Sequence, residues 1–296
     1  MLKVLIFGGS GLIGSRIRQI LDFKYRIIAP SHIQVDLIDK QQIEKIIKKS
    51  KPNYIIYAAG ITSVDEAEKH PELTNLLNVQ SPVFIANIAE SIGVPVLYFS
   101  TDSVFDGSKN NKPYFEDDET NPLSEYGKSK LLGEQMVINA SSKNCIARVI
   151  MVYSHIFNKR KRFVQIALET LKKGKIFCGV LDQVVNPIYV DDIVSAIDLL
   201  IESRSNGIYH LGAINYVTNY EFVKKLTKAF NLNENLVKGI LLDEFFKGRT
   251  LRNKFCWLDT SKFREKFGEN TLHSIDEGIR LFKKNLDLLE TPQKYQ

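Results

Sequence analysis

The sequence predicts an α/β fold built on a doubly wound parallel sheet, and three observations predict it. Short apolar runs alternate with helical patterns through the first half of the chain. Those runs carry no polar alternation. A glycine-rich turn directly follows the first of them. Strands that are apolar at every position are buried on both faces, as in a parallel sheet covered by helices. The regular change from strand to helix and back then sets the layers.

Each element follows in order. Val4-Leu5-Ile6-Phe7 reads as the first strand and residues 13–21 as the helix after it. Residues 25–29 read as a second strand, and 41–49 as a helix with Ile43, Ile46 and Ile47 on one face. Residues 54–58 follow Pro52 as a third strand. Then come a helix over 82–91, a strand over 94–100, a helix over 124–139 and a strand over 145–152. Beyond about residue 153 the pattern loosens. Helices are predicted over 163–172, 191–201 and 220–230 and a strand over 207–211, while the remainder is charged and less regular. No repeat or clean linker appears. Residues 1–153 are therefore expected to form the sheet domain and 154–296 mainly a smaller, interleaved lobe, with about 183–211 returning to the first.

Composition narrows the class. With 44% hydrophobic and 25% charged residues in 296, the chain reads as an ordinary globular protein. A net charge of +6, thinly spread and without a basic tail, argues for small anionic ligands and against nucleic acid. Cys145, Cys178 and Cys256 lie far apart, with neither disulfide-framework nor metal-ligand spacing, so no metal site is expected. Reduced cysteines, no signal peptide and no run of about 20 apolar residues point to a soluble, cytoplasmic protein without membrane contact.

The first chemical signal is Gly8-Gly9-Ser10-Gly11-Leu12-Ile13-Gly14. Glycines at 8, 11 and 14, between a strand and a helix, let backbone N–H groups reach a pyrophosphate at the positive end of the helix dipole. This is the turn of a Rossmann dinucleotide site. Ala58-Ala59-Gly60, after the third strand, lets backbone lie against the adenosine half, although a merely close-packed turn explains it as well. Asp36 is placed to contact the adenine. No carboxylate ends the second strand, which reads Ala29-Pro30-Ser31-His32. An acidic residue there would grip a ribose 2′-hydroxyl, so its absence favours NADPH slightly over NADH.

The second signal is Ser100-Thr101-Asp102 at a strand end, followed by Tyr126-Gly127-Lys128-Ser129-Lys130 at a helix start. Tyr126 and Lys130, four apart, share a helical face. A neighbouring ammonium would lower the phenol from its usual ~10 and let Tyr126 protonate a carbonyl oxygen. Thr101 would hydrogen-bond the same oxygen, and Lys130 would also hold the nicotinamide ribose.

Together these residues resemble the extended short-chain dehydrogenase/reductases, and more narrowly the dTDP-4-dehydrorhamnose reductase branch, which also contains the regulatory β subunit of methionine adenosyltransferase. The likeness spans roughly residues 2–212. Its more specific segments are Val64-Asp65-Glu66-Ala67-Glu68 and Ser100-Thr101-Asp102-Ser103-Val104-Phe105, with Asn78 and Asp182-Gln183 ahead of Pro187. The resemblance implies reduction of the 4-keto group of a nucleotide-activated deoxysugar, with Thr101, Tyr126 and Lys130 catalytic. The cofactor contacts assigned are Gly8, Ser10, Gly11, Leu12, Ile13, Gly14, Asp36, Leu37, Ala58, Ala59, Gly60, Asn78, Ser100, Tyr126 and Lys130. Substrate contacts are assigned to Asp102, Ser103, Met151 and Arg162. A monomer and a homodimer are both compatible with the resemblance.

Departures from the branch all fall on the substrate side. Ile150-Met151-Val152-Tyr153 lacks the usual tryptophan, Ser154 replaces a glycine, and Asp182-Gln183-Val184-Val185-Asn186-Pro187-Ile188 is altered. Retained redox chemistry on a different sugar or nucleotide is the expectation. Ser103 after Asp102 removes the acidic pair a 4,6-dehydratase carries. A dual epimerase/reductase would need a further acid or base, for which Cys178 and His155 are candidates, though both read better as structural. His210 reads as a packed core histidine. The run Lys159-Arg160-Lys161-Arg162, ahead of a helix, suits a diphosphate or is a solvated charge run, and Arg249 and Arg252 are comparable. A regulatory subunit that binds NADP(H) without turnover is the alternative from a different class.

Overall fold

In the computed structural model, residues 1–110, 112–156 and 161–290 are described. The chain runs β1 (Lys3–Phe7), α1 (Leu12–Leu21), β2 (Arg26–Ile28), α2 (Lys40–Ser50) and β3 (Tyr54–Tyr57). It continues through α3 (Val64–Lys69), α4 (Pro71–Asn75), a π-helical turn (Leu76–Gln80) and α5 (Ser81–Ser91) to β4 (Val96–Thr101). A 3₁₀ turn (Asp102–Val104), α6 (Glu125–Ala140) and β5 (Cys145–Val149) complete the first half. Then follow α7 (Phe163–Lys172), β6 (Phe177–Val180), β7 (Val184–Val185), α8 (Val190–Glu202) and β8 (Gly207–Leu211). The last elements are β9 (Val217–Thr218), α9 (Asn219–Ala229), β10 (Val237–Ile240), α10 (Leu242–Phe245), α11 (Ser261–Phe267) and α12 (Ile275–Glu290).

Six strands form one parallel sheet in the order β2-β1-β3-β4-β5-β8. Strands β1, β3 and β4 are buried at almost every position, as their unbroken apolar sequences require. One face packs Ile17 and Leu21 of α1 and Ile193, Ile197 and Leu200 of α8 onto Val4, Ile6, Ile56 and Leu97. The other packs Ile43 and Ile47 of α2, Ile85 and Ala89 of α5 and Val137 of α6 onto Leu5, Ile55 and Tyr98. Strand order reverses at β1, with β2 on one side and β3 on the other. Such a reversal leaves a crevice at the carboxyl ends of the strands, where ligands of open α/β sheets bind.

The second lobe is more regular than its sequence suggested. Two small sheets, β6 with β10 and β7 with β9, pack with α7 and α9. The C-terminal stretch, expected to be irregular, contains the sixteen-residue α12. Its Ile275, Ile279, Phe282 and Leu286 are buried against Phe222 and Leu226. That spacing of four, three and four residues is an amphipathic stripe readable in the sequence, masked there by the surrounding charge. The stretch 183–211 is divided in the structure: α8 and β8 join the main sheet, while β7 pairs with β9. Phe263 of α11 also packs into the main core, well outside that stretch. Among the described residues no helix is long and apolar enough to cross a membrane.

Candidate active site

A cleft of about 900 Å³ opens along the carboxyl ends of the strands, between sheet and second lobe. That is the upper range for small-molecule sites. One end is lined by Gly8, Ser10, Gly11, Leu12 and Ile13, with Asp36, Leu37, Ala58, Ala59 and Gly60 beside them. Gly8 has φ +89°, and a Cβ there would lie 2.5 Å from the Ala58 carbonyl carbon. A Cβ on Gly14 would lie 2.3 Å from the Gly8 oxygen. So β1, the turn and α1 meet at contacts only hydrogen permits. Gly11 is the N-cap of α1, with no side-chain cap and no acidic residue in the first turn. The unsatisfied N–H groups and positive dipole of that turn thus suit an anionic pyrophosphate, and the cradle fits a dinucleotide.

Asp36 is exposed at the cleft mouth and accepts the Ile38 N–H at 3.0 Å. Four assigned cofactor residues stand behind the lining: Gly14 is packed under the turn, and Asn78, Ser100 and Lys130 are buried. Asn78 binds both backbone groups of Ile61 at 3.0 Å and donates to Ser129 Oγ at 2.9 Å. It ties the loop after β3 to α6, and so shapes the cleft wall from behind.

At the centre, β4 ends on Thr101 and α6 begins beside it. Ser124 caps α6 by accepting the Gly127 N–H at 3.1 Å, and Glu68 accepts the Glu125 N–H at 2.9 Å. These two bonds set the first turn, which carries Tyr126 to the cleft. Thr101 Oγ1 accepts the Ser103 N–H at 3.2 Å and donates to Asp102 Oδ1 at 2.9 Å. Thr101, Asp102, Ser103 and Tyr126 all line the cleft.

The electrostatics correct one sequence expectation. Lys130 does not lower Tyr126 here. Enclosure pushes the Tyr126 phenol up to about 12; hydrogen bonding with Thr101 and the charge of Arg162 oppose this, and Asp102 adds to it. Burial pushes Lys130 down to about 7, with Glu134 acting the other way. Its ammonium lies over the Tyr98 ring, 3.8 Å from the centroid. Burial also raises the Asp102 carboxyl to about 6, against hydrogen bonds from Thr101 and the Cys256 thiol.

The far end of the cleft is lined by Met151, Lys161, Arg162, Gln183, Arg252 and Cys256. Met151 has φ +39°, an unusual conformation for a side chain of its size and one that turns the chain out of β5. Lys161 pairs with Glu169. Lys159 and Arg160 lie outside the described residues. Arg249 is exposed and absent from the lining, whereas Arg252 faces it. Cys256 is among the cleft residues that sequence reasoning missed, because nothing near it in the chain marks it.

The two acid/base candidates for an epimerase lie elsewhere. His155 is buried against the Tyr189 hydroxyl, 2.5 Å away, and Cys178 is on β6. His210 is fully buried between the Tyr114 carbonyl and Arg148, and burial holds it well below its usual range, in the neutral form. Among the described residues no group of His, Cys, Asp or Glu could hold a metal ion.

The chain matches the model of the RmlD substrate binding domain over residues 2–285. That match takes in the second lobe, beyond the span legible from motifs. The chain is 34% identical to a dTDP-4-dehydrorhamnose reductase of Aggregatibacter actinomycetemcomitans, covering 90% of this chain and 94% of that protein. It is 30% identical to the methionine adenosyltransferase 2 subunit beta of Xenopus tropicalis, covering 94% and 86%. A crystal structure of a Bacillus anthracis dTDP-4-dehydrorhamnose reductase in complex with NADP superposes with a TM-score of 0.89 at 27% identity, covering 98% and 99%.

Proposed function

The chain belongs to the RmlD substrate binding domain family, and from that premise we propose that it is an NAD(P)H-dependent oxidoreductase reducing the 4-keto group of a nucleotide-activated deoxysugar. The observation that carries this reading is the convergence of the Thr101 and Tyr126 hydroxyls on one stretch of the cleft whose end is the glycine turn. When bound, the reduced nicotinamide supplies the hydride.

The protein's own residues do the rest. Tyr126 donates its proton to the carbonyl oxygen as charge develops there; a phenol held near 12 keeps that proton until the oxygen becomes the stronger base. Thr101 turns its hydroxyl from Asp102 to the same oxygen. Asp102, whose carboxyl is held near 6, takes up either protonation state close to neutral pH and receives the Thr101 hydroxyl when the site is free. Lys130, one turn of α6 after Tyr126 and buried against the Tyr98 ring, holds the nicotinamide ribose and supplies its charge once that hydroxyl-rich group surrounds it. Ser103, Met151 and Arg162 face the sugar nucleotide.

NADPH is the preferred cofactor in this reading. Pro30 and His32 line the cleft where a carboxylate would be needed to select NADH. Arg18 stands alongside, its Nη1 donating to the Gly9 carbonyl at 3.3 Å and its Cδ close to where a Gly9 side chain would point, next to Ala29.

The test is oxidation of NADPH and NADH against a panel of dTDP-, UDP-, GDP- and CDP-4-keto-6-deoxy sugars. Turnover of one member supports the reductase and names the nucleotide. Tight cofactor binding with no sugar reduced overturns it and favours a regulatory role, which the likeness to the methionine adenosyltransferase subunit also supports.

A further inference from the structure

The segment Val64-Asp65-Glu66-Ala67-Glu68 stood out in the sequence, and the chemistry above uses only Glu68. Asp65 is the second residue of α3, directly after Val64, which lines the cleft. Opposite it, Arg252 belongs to the second lobe and lines the cleft. The two meet: Arg252 Nη2 donates to Asp65 Oδ1 at 2.8 Å.

Arg252 also gathers its own segment. Its Nη1 donates to the Thr250 carbonyl at 2.7 Å, and its guanidinium lies 4.9 Å from the Phe246 ring centroid. Arg249 and Thr250 add to the pull, since with Arg252 they hold the Asp65 carboxyl below its usual range despite partial burial. The chain after Arg252 is anchored independently. Asn253 donates to the Phe105 carbonyl, Phe255 N–H to Gly107 and Cys256 N–H to Val184. The chain before residue 246 is fixed by Asp182, which accepts the Leu242 N–H at 2.8 Å. Residues 246–252 thus form a span fastened at both ends, with Leu251 exposed, and the Arg252–Asp65 pair ties that span to the opposite wall.

We propose that this ion pair is the latch closing the sugar-nucleotide half of the cleft, with Asp65 the positioning residue that holds the 246–252 span in place. The proposal rests on the reductase reading for what is retained, not for the latch itself. The glycine turn lies at the other end of the cleft, so the latch acts on the sugar nucleotide and leaves cofactor exchange alone.

Two measurements on the full chain test it. In the free protein, hydrogen exchange is compared between wild type and Asp65→Asn. The Arg249 N–H, which donates to Phe246 within the span, should exchange faster in the variant, with the Phe255 and Cys256 amides unchanged. In turnover, Asp65→Asn should raise KM for the nucleotide sugar by ~2–5-fold, about what a partly exposed ion pair supports, with kcat and cofactor KM unchanged. Asp65→Glu, which keeps the charge, should restore KM. Unchanged exchange at Arg249 overturns the latch whether or not a sugar is turned over. A matching rise in cofactor KM, or no rescue by glutamate, overturns the assignment to substrate retention. Absence of any sugar turnover in wild type would instead count against the reductase reading, with the exchange result still deciding the latch.

Discussion

The Lys130 ammonium stands 3.8 Å from the centroid of the Tyr98 ring, and the Tyr98 hydroxyl donates to the Asn78 carbonyl at 2.7 Å. A cation–π contact replaces only part of the hydration that burial removes. Lys130 is therefore a strained base in the free protein, with its proton affinity reduced to that of a group titrating near 7.

A stability effect follows. The folded Lys130 titrates near 7 and the unfolded one near its usual ~10.4, so between these values the unfolded chain binds more protons. This group's contribution to stability therefore rises with pH over that window. Lys130→Met should raise Tm at neutral pH and remove the upward slope between about pH 7 and 9, while abolishing turnover. Thermal unfolding of both proteins across that range checks the sign.

Tyr126→Phe removes the proposed proton donor and keeps the ring on α6. We expect kcat to fall by ~10²–10⁴-fold with cofactor affinity little changed. Full turnover by this variant would exclude Tyr126 as the donor.

Arg148 and Glu134, both about 3% exposed, tie β5 to α6 one helical turn beyond Lys130. Arg148→Met would leave the Glu134 carboxylate buried and unpaired, at a cost of ~3–5 kcal/mol. Adding Glu134→Leu should recover most of that loss. Denaturant midpoints of the single and double variants give the coupling.

Gly8→Ala asks a side chain to take φ +89° and to fit 2.5 Å from the Ala58 backbone. Overpacking of this kind costs ~1–3 kcal/mol, and the displaced turn should weaken NADP(H) binding by more than it weakens folding. Cofactor titration alongside urea unfolding separates the two.

Arg18→Met should lower kcat/KM for NADPH by roughly 10-fold and leave NADH unchanged, since a charged pairing with a 2′-phosphate is available only to the former. Equal losses with both cofactors would place the 2′-phosphate elsewhere.

Much of the sheet was legible because its signals are local. Val4–Phe7 and Tyr54–Tyr57 are apolar at every position, which a strand buried on both faces requires, and the glycine turn encodes its own geometry. Helix α12 shows the opposite case, a readable stripe lost among charges because its partners, Phe222 and Leu226, lie some fifty residues away.

From the sequence alone came the fold class, the glycine turn and the proposal of Thr101, Tyr126 and Lys130 as a set, since each rests on residue types at element ends in a fixed order. Tertiary structure alone decided the charge states and the far wall of the cleft. A pKa depends on what surrounds a group in space: Lys130 is shifted by burial on Tyr98, and Asp102 by enclosure beside Cys256, more than 150 residues along the chain. The Asp65–Arg252 contact joins residues 187 positions apart, a distance over which no local spacing in the chain carries information.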